Sequence, residues 1–266
     1  MKIGVCVTDY KRWSIVGASG YDYIEGNLGV IASATDEEYA DMLEVASKCG
    51  VPVETTNCFF PKGLVLYAFD PATGEGTDAF ADVLKNVAEY VDKALARVVP
   101  MGLKIAVLGS AANRKKPEGI KPEVAEAQFA EVLKVAGDVA AKHGVKIAIE
   151  PLSDCNLVVT LADAMKFAKA ADHPSVGVLN DFYHSAVNGE DITTSLQNAG
   201  DKLYHMHIAC PEGRKMPAIE DKDIILGFCD ELKKTGYDAR ISIEGKTTLE
   251  FAEMVRTSYE VMQLVR

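Results

Sequence analysis

The chain has 266 residues, 48% of them hydrophobic and 25% charged, with no low-complexity tract, which excludes a disordered or fibrous protein. A formal net charge of -11 repels phosphate backbones and anionic bilayers at long range, so no nucleic-acid or membrane partner is expected. The opening MKIGVCVTDYKRW lacks an apolar stretch fit for a signal peptide, and no later run reaches about 18 apolar residues, so a soluble, cytoplasmic protein is expected.

In chain order, short apolar β-branched runs alternate with segments of helical period. The strands are predicted at Lys2–Thr8, Tyr21–Asn27, Val53–Phe60, Lys104–Gly109, Lys146–Leu152, Val176–Asp181, Leu203–Ala209 and Arg240–Glu244. Most are nearly continuous in apolar character (KIAVLG, VGVLND), as parallel strands covered on both sides must be. Between them, Phe80, Val83, Leu84, Val87 and Val91 stripe a helix over 78–97, and Phe129, Leu133, Ala136 and Ala140 another over 122–143. Gly50, Gly144 and Gly236 stand just before strands, where a left-handed helix cap is wanted. The stretch 60–78, rich in Gly and Pro, reads as a long loop covering an active site.

Eight strand–helix units predict an α/β fold, a (β/α)8 TIM barrel, forming one domain over 1–266, close to the roughly 250 residues usual for that fold. An open doubly wound sheet fits less well, because no G-x-G-x-x-G follows the first strand. Six cysteines at 6, 49, 58, 155, 210 and 229, none in a C-x-x-C pair, read as reduced thiols.

The last four predicted strands end on metal-ligating residue types. Glu150 ends IAIE and Asp181 ends VGVLND, with His184 three residues on; His205 and His207 share a face of LYHMHIA; Glu244 ends ISIE. In a parallel barrel these ends converge on the C-terminal rim, where barrel enzymes keep their sites. Any one of them alone reads equally well as a helix cap or a solvated charge. Together, clustered carboxylates need a cation, and three oxygen donors with one nitrogen suit Mn²⁺, Mg²⁺ or Zn²⁺. His205, one pleat deeper, reads as a hydrogen-bonded core histidine, and His143 and His173 as surface residues near helix ends.

The ordered set IEP, D-F-Y-H, H-x-H-I-A followed by an Arg, and S-I-E resembles the xylose-isomerase-like superfamily of sugar isomerases and epimerases. GYDYIE, NRKKPEG and KHGVKIAIEPL look like the same family, so the resemblance spans nearly the whole chain. It implies that Glu150, Asp181, His207 and Glu244 bind one divalent ion, manganese foremost, with Mg²⁺, Co²⁺ or Zn²⁺ as alternates. It further implies a ketose or hydroxy-ketone substrate, with Glu150 and Glu244 as general base and acid about a metal-stabilised enediolate. His184 and Arg214 would then bind substrate oxygens, and Glu25, ending the second strand, would face the same rim or cap the next segment. Asn156 stands where related ketose 3-epimerases carry a glutamate, and ACPEGRKMP lacks their acidic residue and N-R pair, which argues against C3 epimerisation.

The rival readings are an inosose dehydratase-type lyase, an endonuclease IV-like nuclease and a non-catalytic binder. The nuclease needs early histidines and an Asp-x-His after strand seven; this chain has no histidine before His143 and no such motif after His207. No basic cluster calls for a phosphorylated substrate. Tyr10, Trp13, Phe59, Phe60 and Phe182 are candidates to wall the pocket, and the barrel's size is compatible with a homo-oligomer.

Overall fold

The structure, a computed structural model, describes residues 1–265. Eight parallel strands close in sequential order: β1 (Lys2–Cys6), β2 (Tyr23–Asn27), β3 (Val53–Asn57), β4 (Ile105–Leu108), β5 (Lys146–Ile149), β6 (Val176–Asp181), β7 (Leu203–Ile208) and β8 (Arg240–Ile243). β8 returns to pair with β1 through Lys2↔Arg240 and Val5↔Ile243, which seals the ring into the predicted barrel. Most strands stop one to three residues short of their predicted ends, because the rim residues leave the ladder to form loops and helix starts.

The helices that wrap the ring follow their stripes. Phe80–Val98 buries Val83, Val87, Val91 and Leu95, and Pro122–Lys142, with proline in its first turn, buries Phe129, Val132, Leu133 and Ala136. Capping boxes fix where two more begin: Thr35 with Glu38 opens Asp36–Lys48, and Thr160 with Asp163 opens Leu161–Ala171. Gly50, Gly144 and Gly236 take φ of 83°, 67° and 79°, as the cap reading requires.

Inside the ring the composition inverts. Apolar side chains fill the space on the β4–β6 side, where Ile105, Val107, Ala148 and Leu179 pack together. Polar groups occupy the opposite side: Tyr23, Glu25, Thr55, His205, His207 and Ser242 are all buried. Across the bottom of the ring, Glu54 of β3 accepts from Lys2 Nζ of β1 (2.6 Å) and Arg240 Nε of β8 (2.5 Å).

The segment between β3 and Phe80 is not a free flap. Gln128 accepts from Ala68 N (3.0 Å) and donates to Ala68 O (2.7 Å). Asn113 Nδ2 donates to Pro61 O and Leu64 O, both at 2.9 Å. Of the aromatics named as candidates to wall the pocket, Trp13, Phe59, Phe60 and Phe182 belong to the hydrophobic core, and Tyr10 donates to Asp41 at the surface. His143 and His173, read as surface residues, are half-buried, with Nε2 of each against Asp92 (2.7 Å) and Asp138 (3.3 Å). All six cysteines are free. Among the described residues, no helix is long and apolar enough to cross a membrane.

Candidate metal centre

Four strand ends deliver the site. Parallel pairing sets Asp181 of β6 level with His207 of β7, while Glu150 and Glu244 each stand one residue beyond β5 and β8. One donor atom from each of Glu150, Asp181, His207 and Glu244 lies within 4.8 Å of all the others. His207 Nδ1 is 3.1 Å from Glu150 Oε1 and 3.2 Å from Glu244 Oε2.

Asp181 satisfies both readings of an acidic strand end. Its Oδ1 accepts from Tyr183 N (2.8 Å) and caps the helix Phe182–Val187, while Oδ2 faces the cluster. Glu244 is held from two sides, by Asn57 Nδ2 on Oε1 (2.9 Å) and Arg214 Nη2 on Oε2 (2.6 Å). Glu150 reaches the cluster because Gly109 has no side chain; a Cβ there would lie 2.2 Å from Glu150 Oε2. Arg214, at φ 50°, lies over the Tyr183 ring and also reaches Asp181 Oδ2 at 3.4 Å.

The four side chains shift one another's protonation strongly. Burial and the neighbouring Glu244 push the Glu150 carboxyl up. Burial and Glu150 push Asp181 up to about 7. For Glu244 burial acts in the same direction, but His207 and Arg214 outweigh it and hold this carboxyl below its ordinary range. Burial opposes charge on His207, yet Glu25 and Glu244 raise it well above the usual imidazole range. Three carboxylates and an imidazole converging this closely fit a divalent ion, which would relieve their repulsion and compete with the proton on His207.

His184 lies beside this set. Its Nδ1 accepts from Ser153 N (3.2 Å) and meets Ser153 Oγ (2.9 Å), which leaves the proton on Nε2. That Nε2 has no hydrogen-bond partner and stands 3.9 Å from Asp181 Oδ2. Burial and Arg214 pull its pKa down to about 4, so the ring is neutral and offers one N–H donor.

Glu25 requires a correction. The sequence reading gave it a substrate contact or a cap, but Asn27 caps the next helix by accepting from Val30 N. Glu25 is 0% exposed and accepts from Thr55 Oγ1, Ser242 Oγ, and Nε2 of both His205 and His207, leaving no face for a substrate. His205 is the buried, hydrogen-bonded core histidine its pleat position suggested, outside the four-residue set.

Two residues escaped the sequence reading. Asn57 was legible in principle, since VETTN also ends a strand on a polar side chain at this rim. Arg114 carried no signal: NRKKPEG looks like a solvated basic turn, yet Arg114 is fully buried, its guanidinium has no hydrogen-bond partner, and burial lowers its pKa.

Comparison with known proteins agrees with this architecture. The sequence profile of the xylose isomerase-like TIM barrel matches residues 14–263. The chain is 24% identical over 242 residues to 3-dehydro-D-guloside 4-epimerase of Escherichia coli, covering 90% of this chain and 88% of that protein. It is 26% identical over 187 residues to 2-oxo-tetronate isomerase of Pectobacterium atrosepticum, covering 66% and 69% of the two chains. D-allulose 3-epimerase from Methylomonas sp., solved in complex with D-allulose, superposes with a TM-score of 0.81 at 18% identity, covering 100% of this chain and 97% of the other.

Proposed function

Since the chain belongs to the xylose isomerase-like TIM barrel family, we propose that it is a divalent-metal-dependent isomerase or epimerase of a small ketose or hydroxy-ketone. Relatives named as sugar epimerases and isomerases support the reaction class. The observation that carries the reading is the four-donor cluster at the C-terminal rim, with two glutamates inside it. Glu150, Asp181, His207 and Glu244 would hold the ion, with manganese our first expectation; residues 1–266 would make up one domain.

A bound ion would supply Lewis acidity, making a C–H bond beside the substrate carbonyl easier to ionise. The protein supplies the proton transfers. Glu150 and Glu244 follow strands three positions apart around the ring, so their carboxylates approach a ligand between them from different sides. One takes the proton and the other returns it. Return to the opposite face of the same carbon inverts it; return to the neighbouring carbon shifts the carbonyl. Arg214 fixes Glu244 and has further N–H groups for a substrate oxygen, and the unpartnered His184 Nε2–H donates to another.

Incubation with a panel of ketoses and inososes in D₂O with Mn²⁺ tests this reading. Deuterium should enter product at the carbon next to the carbonyl, and Glu244→Gln should abolish that incorporation while far-UV circular dichroism stays unchanged. Elimination of water in place of rearrangement would assign the chain to the dehydratase-type lyases. Full activity in the folded variant would remove Glu244 from the chemistry.

A further inference from the structure

Glu25 lies one layer below the donor cluster, fully buried, and the proton transfers proposed above make no use of it. Its two oxygens are unequally engaged. Oε1 accepts from His207 Nε2 at 2.8 Å. Oε2 accepts three hydrogen bonds, from Ser242 Oγ (2.6 Å), Thr55 Oγ1 (2.7 Å) and His205 Nε2 (2.8 Å). Tyr23 Oη meets Ser242 Oγ at 2.9 Å, so hydroxyls from β2 and β3 and from β8 brace this one carboxylate.

From this arrangement we infer that Glu25 is the positioning residue of the metal centre: it holds the His207 proton on Nε2 and thereby presents a bare Nδ1 to the ion. The inference rests on the metal site proposed above. An imidazole can ligate through either nitrogen, and the partner of the other nitrogen decides which. In His207, Nδ1 faces Glu150 and Glu244 while Nε2 faces Glu25. An acceptor behind Nε2 therefore selects Nδ1 as the ligand and fixes the ring plane.

Cys6, Glu25 and His207 also offer donor atoms within 4.8 Å of one another, but this trio shares only His207 with the four-residue set, which forms without Glu25.

Glu25→Gln isolates the effect because it keeps shape and removes one acceptor. The amide oxygen stays where three donors converge, and the NH₂ then points at His207 Nε2. Two donors face one another, and the conflict is relieved by moving the His207 proton to Nδ1, the nitrogen the ion needs. The reverse amide orientation would drive the His205 proton to its Nδ1, which has no acceptor and would become a buried unsatisfied donor.

The test is Mn²⁺ affinity of the full chain by titration calorimetry, with circular dichroism and melting in EDTA to show that the variant is folded. Wild-type protein should bind one Mn²⁺, and Glu25→Gln should bind it about 10–100-fold more weakly. A folded variant that binds Mn²⁺ as tightly as wild type overturns the inference. Failure of the wild type to bind at all overturns the metal site itself, a separate result. Should Glu25→Gln fail to fold, ¹⁵N-histidine NMR of the Zn²⁺-loaded wild type decides the matter. A hydrogen-bonded proton on His207 Nε2 is expected, and ligation through Nε2 with the proton on Nδ1 overturns the inference.

Discussion

Gly109→Ala should disable the site while leaving the barrel intact. Gly109 follows β4, and its φ lies outside the left-handed region, so the backbone accepts alanine. The added Cβ would fall 2.2 Å from Glu150 Oε2, and separations under 3.0 Å are not adopted by real Cβ atoms, so the carboxylate must retreat by about 0.8 Å. The displaced atom ends a flexible side chain, so the overlap is relieved by moving Glu150 rather than by unfolding. Metal–ligand distances tolerate only about 0.2 Å, and a reacting group misplaced by about 1 Å loses roughly 100-fold in rate, equivalent to about 2.7 kcal/mol. Folding itself should change little, since Gly→Ala at a compatible φ reduces unfolded-state entropy and stabilises by about 0.4–1 kcal/mol. Melting in EDTA, Mn²⁺ titration and turnover on the substrate found by the D₂O panel separate the two effects. The expected outcome is a melting temperature within a few degrees of wild type, with weakened Mn²⁺ binding and about 100-fold slower turnover. A folded Gly109→Ala protein with wild-type metal affinity and rate would refute the placement of Glu150 in the working site.

Metal removal should act on stability and activity together, because the proposed ion would bind only the native donor set. Saturation at about 100 times Kd contributes roughly 2.7 kcal/mol, so exhaustive EDTA should lower the melting temperature by about 5–10 °C, reversed by Mn²⁺. An unchanged melting curve and unchanged turnover would refute a metal centre. At the opposite end of the barrel, Glu54 braces Lys2 and Arg240, and although burial raises its pKa, those two cations hold it below the ordinary carboxylate range. Glu54→Gln should cost about 1–3 kcal/mol at pH 7 without touching metal affinity. Because the folded-state pKa is depressed, that difference is complete above the unfolded value of about 4.3 and shrinks as pH falls through the lower folded value. Urea denaturation of both proteins at pH 7 and pH 3 checks it, and an equal or larger gap at pH 3 would contradict the assignment.

The barrel and the four-residue set were legible in the sequence for one reason: both depend on period. Parallel strands buried on both sides must be apolar throughout, and their polar interruptions at Glu150, Asp181, His207 and Glu244 fall at the C-terminal ends, which the fold gathers on one rim. Spacing along the chain therefore sufficed to name residues that meet across the ring. It did not give Glu25 its place, because a carboxylate at a strand end reads the same whether it points up to the rim or down to two histidines. The loop over 60–78 read as a cover for an active site, and the sequence did not show that Gln128 and Asn113, from later elements, tie it down.

Local pattern thus determined the strands, the helices with their caps, and which side chains reach the rim, since hydrophobic period and capping chemistry act over a few residues. Only the tertiary structure decided that Asn57 and Arg214 fix Glu244, that Gly109 makes room for Glu150, and that Glu25 stands behind His207. The Asn57–Glu244 and Glu25–His207 bonds exist only once β1 and β8 have met, whereas Gly109–Glu150 and Arg214–Glu244 need the lateral pairing of β4 with β5 and of β7 with β8.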